Sequence, residues 1–453
     1  MLNTLYLPEL RELLAENNDA ELAEFCVALH PARTAEFMEG LTATEAWLVL
    51  LRADIAHRSE IFSYFDHDKQ IEIAESQQRK EIASLIAEMP PDDRVDLIRE
   101  MASDVVTELL PLLPAEERRD ILRLRAYPER SAGALMTTEF AKLGEQLTVH
   151  EALEELGRQA EQLETINYLY VVDAGQDDQL RGVLSARQLL SAIARPHTHL
   201  ADLMERDLVT TNVLEDQEEI ANKVAHFDLM AIPVIDDTHR MLGIITHDDV
   251  IDVMREEATE DAHRIAAVEP LRESYLNTDL LTLTWKRGIW LTVLFLGALM
   301  TAVALDYYED HQLRSWPWLV AFIPLVVSSG GNTGNQTATL VITGMATGDV
   351  AVTDWLKVLR RELIVGLLLG AALALIGFIV ACVMRDANYI EALVLPCTLL
   401  LVVLCGAIVG TVFPLLFQRL DWDPALMSSP FIAGIIDIVG IVIYMGVAAM
   451  VLS

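Results

Sequence analysis

Cysteine and basic residues are both scarce in this sequence, and each shortage excludes something. Only Cys26, Cys382, Cys397 and Cys405 occur in 453 residues, and the last three lie in apolar runs. Neither a disulfide framework nor a Cys/His zinc motif fits that placement. Lys and Arg total 33 against 68 Asp and Glu, a formal net charge of −35. Phosphate contacts need Lys and Arg, so no nucleic-acid partner is expected; such a surface attracts cations instead. No nucleotide-hydrolysis motif of the GxxxxGKS or GxxxxGKT kind is present, which leaves active pumping unsupported. No convincing nucleophile–base pair stands out either, so an enzyme is not expected. The opening MLNTLYLPELRELLAEN lacks a basic stretch followed by an apolar core, and the first 280 residues are expected to stay in the cytosol.

What is there divides in two. Residues 1–280 carry 25 Lys and Arg against 57 Asp and Glu, whereas residues 281–453 carry 8 against 11. An acidic, polar half precedes an apolar one. Within residues 1–125 a motif recurs every 24 residues: LTATE from Leu41, FDHDK from Phe65, MPPDD from Met89 and LPAEE from Leu113. Each gives an apolar residue, a cap or proline, then acids that offset the dipole of the helix that follows. The period predicts a coil of short helices.

Between 137 and 254 the pattern changes. The β-like runs Tyr168–Asp173 and Leu180–Ser185 follow an amphipathic stretch at Val149–Gln159. About sixty residues later Ala231–Asp236 and Met241–Thr246 follow another at Gln217–Phe227. This tandem resembles a pair of CBS domains, which implies regulatory modules that pack together and bind adenine nucleotides or metals.

Residues 256–284 read as a mostly helical connector. Five apolar segments follow at about 287–306, 316–346, 362–384, 391–418 and 430–452, each long enough for a hydrocarbon core of about 30 Å. A cytosolic start and five spans put the C-terminus outside. The loop charges agree: Lys286, Arg287, Lys357, Arg360, Arg361 and Arg419 fall inside, and Arg314 and Arg385 outside.

Three stretches carry chemistry. Ser328–Leu340, SSGGNTGNQTATL, sets Gly330, Gly331, Asn332, Gly334, Asn335 and Gln336 inside the second apolar segment. Such groups at membrane depth either glue helices together or line a water-filled cavity, where glycine permits close approach or a local break. Asp437 stands as the only acid well inside an apolar span, with no intramembrane Lys or Arg to pair it. It suits a hydrated divalent cation, since Mg²⁺ keeps its waters and binds through one or two carboxylates. Thr246–His263 crowds Asp248, Asp249, Asp252, Glu256, Glu257, Glu260 and Asp261 into one helical stretch. Like charges four residues apart repel, and a counter-cation relieves them.

With Tyr127–Thr137, Asp248–His263, Pro324–Gly348 and Asp423–Tyr444 in this order, the chain resembles MgtE-type magnesium transporters along nearly its whole length. The resemblance implies a multidomain fold: an acidic all-α helical-repeat domain (1–130), two α/β CBS domains (131–199 and 200–255), a plug-like connector helix (256–284) and an all-α five-span transmembrane domain (285–453). It implies a homodimeric Mg²⁺ channel of the bacterial inner membrane that cytosolic Mg²⁺ closes, and it allows ATP at the CBS domains. Asp437 matches the family's pore carboxylate, and Gly330, Gly331, Asn332, Asn335 and Gln336 its pore-side signature. Asp216, Glu218, Asp228, Asp249, Asp252, Glu257, Glu260 and Asp261 match acids at its cytosolic Mg²⁺ sites, with Asp104 a further match. Thr343 replaces a frequent Arg, and Ala433-Gly434 stand where polar residues are common. Carriage of Co²⁺ or Mn²⁺ on the same scaffold, and a non-conducting Mg²⁺ or nucleotide sensor, are the alternative readings.

Overall fold

Helices begin every twelve residues at the start of the chain. They are α1 (Leu7–Glu16), α2 (Asp19–Ala28), α3 (Pro31–Met38), α4 (Ala43–Leu50), α5 (Ile55–Ser63), α6 (His67–Ser76), α7 (Arg79–Ala87), α8 (Pro91–Glu100), α9 (Ser103–Leu109) and α10 (Ala115–Leu124). The 24-residue motif therefore marks every second helix, and the repeating unit is a helix pair. The intervening helices α5, α7 and α9 do not share that five-residue entry, although α7 and α9 carry a first-turn acid in Glu81 and Asp104, and were not legible from that motif. The computed structural model describes residues 5–160, 163–173, 175, 178–271, 275–276, 278–385, 390–420, 422–427 and 429–452.

One device recurs along the coil. Near the start of a helix, a long polar side chain reaches back and satisfies the last carbonyls of the helix before it. Arg58 of α5 donates to the carbonyls of Leu50, Leu51 and Ala53. Gln70 of α6 donates to those of Ser63 and Phe65. Arg94 of α8 donates to those of Ile86, Ala87 and Met89. Helix ends leave carbonyls without intrahelical partners, and here a neighbouring helix supplies the donors, which sets the angle between successive helices.

Two sheet modules follow in the same unit, after the short helix α11 (Ala132–Leu135). The first contains β1 (Phe140–Gly144), α12 (Val149–Gln159), β2 (Thr165–Asp173), β3 (Gln179–Ser185) and α13 (Ala186–Ser191). The second contains β4 (Thr211–Asn212), α14 (Gln217–His226), β5 (Ala231–Ile235), β6 (Met241–Thr246) and α15 (His247–Ile265). Both sheets share one topology: the first strand pairs parallel with the second, and the second antiparallel with the third. Thr148 and Ser185 close capping boxes at α12 and α13. The leading strands β1 and β4 were missed in the sequence because they are short and lack a run of β-branched residues.

The chain divides into two units, Met1–Arg255 and Glu256–Ser453. In the second, the connector expected at 256–284 is helical at both ends and interrupted between them. α15 ends at Ile265, and the next helix begins at Leu280. Ala267 adopts a left-handed φ of 58°. The Val268 amide bonds the His263 carbonyl and the Ala267 amide the Arg264 carbonyl, a Schellman stop made without glycine. Pro270 then prevents resumption. Residues 272–274 and 277 of the expected connector, and the Arg385 side chain, lie outside the described residues.

Five long helices complete the unit: α16 (Leu280–Tyr308), α17 (Ile323–Ala346), α18 (Trp355–Arg385), α19 (Val394–Arg419) and α20 (Ser429–Leu452). Among the described residues, α16, α18, α19 and α20 are long and apolar enough to cross a membrane. α17 has 24 residues, or about 36 Å at 1.5 Å per residue, but its polar stretch lowers its hydropathy below theirs. Of the two roles open to its glycines, close approach and a local break, the break is absent: the helix runs unbroken through Ser328–Leu340.

Candidate functional site

The glycines of α17 explain its central packing. A Cβ on Gly330 would lie 2.3 Å from Val402 Cγ1, and one on Gly334 2.2 Å from Ile436 Cδ1. On α19, a Cβ on Gly406 would meet the Gly330 carbonyl at 2.6 Å, and one on Gly410 the Gly334 carbonyl at 2.4 Å. Each helix thus presents glycines four residues apart, and the two backbones touch along them. Gly330, Gly331 and Gly334 are buried.

Gly331 faces α20. A Cβ there would sit 3.5 Å from Ala433 Cβ and 3.7 Å from Asp437 Oδ1. The polar helix and the Asp437 carboxylate, expected from the sequence to lie close together, are neighbours. Asp437 is partly buried, whereas Asn332 and Gln336, one turn apart, are exposed. The Asn332 amide donates to Ser328 Oγ at 3.2 Å. Asn335 Oδ1 is shielded from solvent without a donor among the described residues. So the central residues sort by face: Gly330, Gly331, Thr333 and Gly334 are buried toward α19 and α20, and Asn332 and Gln336 are exposed.

A second acid on the long helices was overlooked. Glu362 lies two turns inside α18 because that helix begins at Trp355, earlier than the apolar run suggests. It accepts a hydrogen bond of 3.0 Å from Thr337 Oγ1 of α17, and Thr337 is 4% exposed.

In the first unit, α15 brings Asp249 against acids of the helical coil. Burial, then repulsion from neighbouring carboxylates, pushes Asp249 up to about 6, although its bond from Thr246 Oγ1 at 2.6 Å opposes the shift. Asp92 is held well above the usual carboxylate range by burial and by Asp249. Asp93 is raised by burial, relieved in part by a hydrogen bond from Ser63. Loss of solvent raises Asp96 and Glu164 to about 7 each, with Asp249 adding to both. Asp92, Asp93, Asp96 and Glu164 were not named as site residues. The signal was present in MPPDD, where Asp92 and Asp93 served equally well as first-turn helix acids.

The other matched acids are dispersed. Asp216 caps α14, accepting from the Glu218 amide at 2.9 Å, and Glu218 is exposed. Asp228 is exposed at a left-handed φ of 50°, and Asp104 is exposed in the first turn of α9. Asp252 pairs with Arg255 at 3.3 Å. Glu260 pairs with Arg264, whose guanidinium also pairs with Asp423 of the segment before α20. Beside them Asp261 is pushed up to about 6 by burial and by Asp423, with Glu257 adding to the repulsion. Among the described residues no three His, Cys, Asp or Glu side chains converge closely enough to hold a metal. These acids are a field that a cation would draw together.

Comparison with known proteins covers all these regions. The family profile "MgtE intracellular N domain" matches residues 29–130, "CBS domain" matches 132–195 and 200–256, and "Divalent cation transporter" matches 323–447. The magnesium transporter MgtE of Thermus thermophilus is 34% identical over 447 residues, spanning 98% of both chains. That of Bacillus subtilis is 32% identical over 360 residues, spanning 80% of this chain and 78% of its own. Among solved structures, the soluble part of a magnesium transporter superposes with a TM-score of 0.52 at 32% identity, covering 55% of this chain and 97% of that one. The cytosolic domain of the Mg²⁺ channel MgtE in complex with ATP gives 0.50 at 33% identity, covering 54% and 98%.

Proposed function

The chain belongs to the MgtE family of divalent cation transporters, and from that membership we infer that it is a magnesium channel or transporter and not an enzyme. The observation that carries the mechanism is Asp437 beside Gly331, next to a helix with two amides on an open face. Mg²⁺ passes with its waters along that face and pauses at Asp437, with Asn332 and Gln336 offering neutral oxygens to the hydration shell. The membrane potential drives entry at about 2.3 kcal/mol per charge per 100 mV, doubled for a divalent ion.

Regulation follows from the acids. Asp249, Asp252, Asp92, Asp93, Asp96 and Glu164 repel one another when cytosolic Mg²⁺ is scarce. When Mg²⁺ is abundant it bridges them, and Glu257, Glu260 and Asp261 respond likewise beside Asp423. A cation that binds the closed arrangement better than the open one shifts the population toward closure. ATP at the CBS modules is the finer expectation, supported by the ATP complex of the related cytosolic domain. A homodimer is supported by apolar side chains left exposed on the CBS modules, Leu190, Ile193, Ile251 and Met254. The same reading divides the chain at about 130, 199, 255 and 284, places it in the bacterial inner membrane and puts the C-terminus outside.

The test is Mg²⁺ flux into proteoliposomes at low and high Mg²⁺ on the cytosolic face, for wild type and Asp437→Ala. Wild type is expected to conduct only at low Mg²⁺, and Asp437→Ala not at all. Flux indifferent to Asp437 would overturn the pore assignment. Competition by Co²⁺ and Mn²⁺ in the same assay reads out the cation preferred.

A further inference from the structure

We propose that Glu362 is a positioning residue for conduction: by accepting the hydrogen bond of Thr337 it fixes the rotation of α17, and with it the direction in which Asn332 and Gln336 present their amides. The proposal rests on the pore reading above.

The need for such a pin arises from the glycine seam. Side chains that interlock resist rotation of one helix against another. Gly330, Gly334, Gly406 and Gly410 have none, so the α17 and α19 backbones approach closely, and only Val402 against Gly330 and the Thr333 and Thr337 side chains against Gly406 and Gly410 interlock there. Thr337 lies three residues beyond Gly334, hence on nearly the same face. Its hydroxyl is buried, and its partner comes from a different helix, α18. Other hydroxyls of the seam region bond their own helix: Thr333 donates to the Ser329 carbonyl, and Thr398 and Thr411 of α19 to the carbonyls of Val394 and Ala407. Thr337 differs from these three, and a directional bond between helices adds an angular restraint to the few side-chain contacts of the seam.

The lever is short. With about 100° between successive residues, Gln336 and Asn332 stand roughly 100–140° around the helix from Thr337. A rotation of about 20° moves a side-chain atom 5–6 Å from the axis by about 2 Å. That displacement approaches the width of one water molecule, the scale on which a hydrated ion is held or missed.

The test combines flux with an independent reading of geometry. In the full-length chain with its four cysteines replaced, Gln336→Cys is labelled by a water-soluble thiol reagent in proteoliposomes. Thr337→Val and Glu362→Leu are each expected to change the labelling rate by about threefold or more, the factor set by one weak hydrogen bond within a membrane. In the chain with native Gln336, both are expected to lower Mg²⁺ flux, and the double variant is expected to be no worse than either single one. Thr337→Ser restores the hydroxyl and both readouts, and Glu362→Gln restores the acceptor. Unchanged labelling in Thr337→Val would overturn the proposal, as would additive losses in the double variant. A defect in Glu362→Gln as deep as in Glu362→Leu, with Thr337→Val normal, would overturn it as well, because charge would then be what counts. If wild type conducts nothing, the pore reading fails, while labelling still tests the pin.

Discussion

Asp249 offers the sharpest test of the acidic cleft. Its carboxyl is raised from the ordinary 3.8 to about 6. At about 1.4 kcal/mol per pH unit, the ionised form costs the folded unit about 3 kcal/mol, and screening at a partly exposed group lowers this to about 2. The folded state holds this proton more tightly than the unfolded state does. Its stabilising contribution is therefore complete below the ordinary 3.8 and is lost as pH rises through about 6. Asp92, Asp93, Asp96 and Glu164 are shifted the same way, so their contributions add in sign. The assay is proteolysis of the full chain in detergent after brief heating, scored for cuts within residues 1–255. Without divalent cations, the midpoint is expected to rise from pH 8 to pH 5.5. Only about 0.5 kcal/mol of the Asp249 cost is relieved by pH 5.5, or about 1–2 °C at 2–4 °C per kcal/mol for a unit of this size, and the other four acids add to it. Asp249→Asn keeps an acceptor for Thr246 and removes the charge. It is expected to melt higher than wild type at pH 8 and to gain less from added Mg²⁺. A wild type that melts lower at pH 5.5 than at pH 8, or an Asp249→Asn variant destabilised at pH 8, would refute the reasoning.

Other outcomes follow from packing. Arg94→Ala strips the donor from three carbonyls at the end of α7. Urea unfolding is expected to show a loss of about 3 kcal/mol, since each buried unsatisfied group costs about 1–3. Gly410→Leu would drive a side chain into the Gly334 carbonyl, 2.4 Å from the added Cβ. Overpacking of about 1–3 kcal/mol is expected to appear as a lower melting point of the detergent-solubilised chain. Gly297→Leu, where nothing lies within 4 Å, serves as the control and is expected to be silent.

Much of this was legible from residue order. Pattern read at 24 residues found the helical coil, because cap, proline and acid recur where the backbone must turn. Tyr168–Asp173 and Ala231–Asp236 announced the central strands through β-branched and aromatic residues. The short strands β1 and β4 were silent because their pairing is long-range. Asp437 and the polar stretch each stood out by cost, but their adjacency is a property of how α17 and α20 cross. Glu362 stayed hidden because it is the first residue of the apolar segment read at 362–384, directly after Arg360 and Arg361, so it passed for a segment end; α18 begins seven residues earlier. The acids at Asp92 and Asp96 were ambiguous for a different reason: a first-turn acid and a cation ligand look alike until the opposing element is known.

The polar character of α17 has a consequence for biosynthesis. A helix with two asparagines, a glutamine and several glycines gains little by entering lipid alone. Its glycine partner α19 is made later, after α18 and the loop that follows. During synthesis α17 must therefore be held at the insertion machinery or drawn in beside its neighbours until α19 emerges. The most polar of the five long helices is thus the one least able to place itself, and its membrane insertion depends on sequence that does not yet exist when it leaves the ribosome.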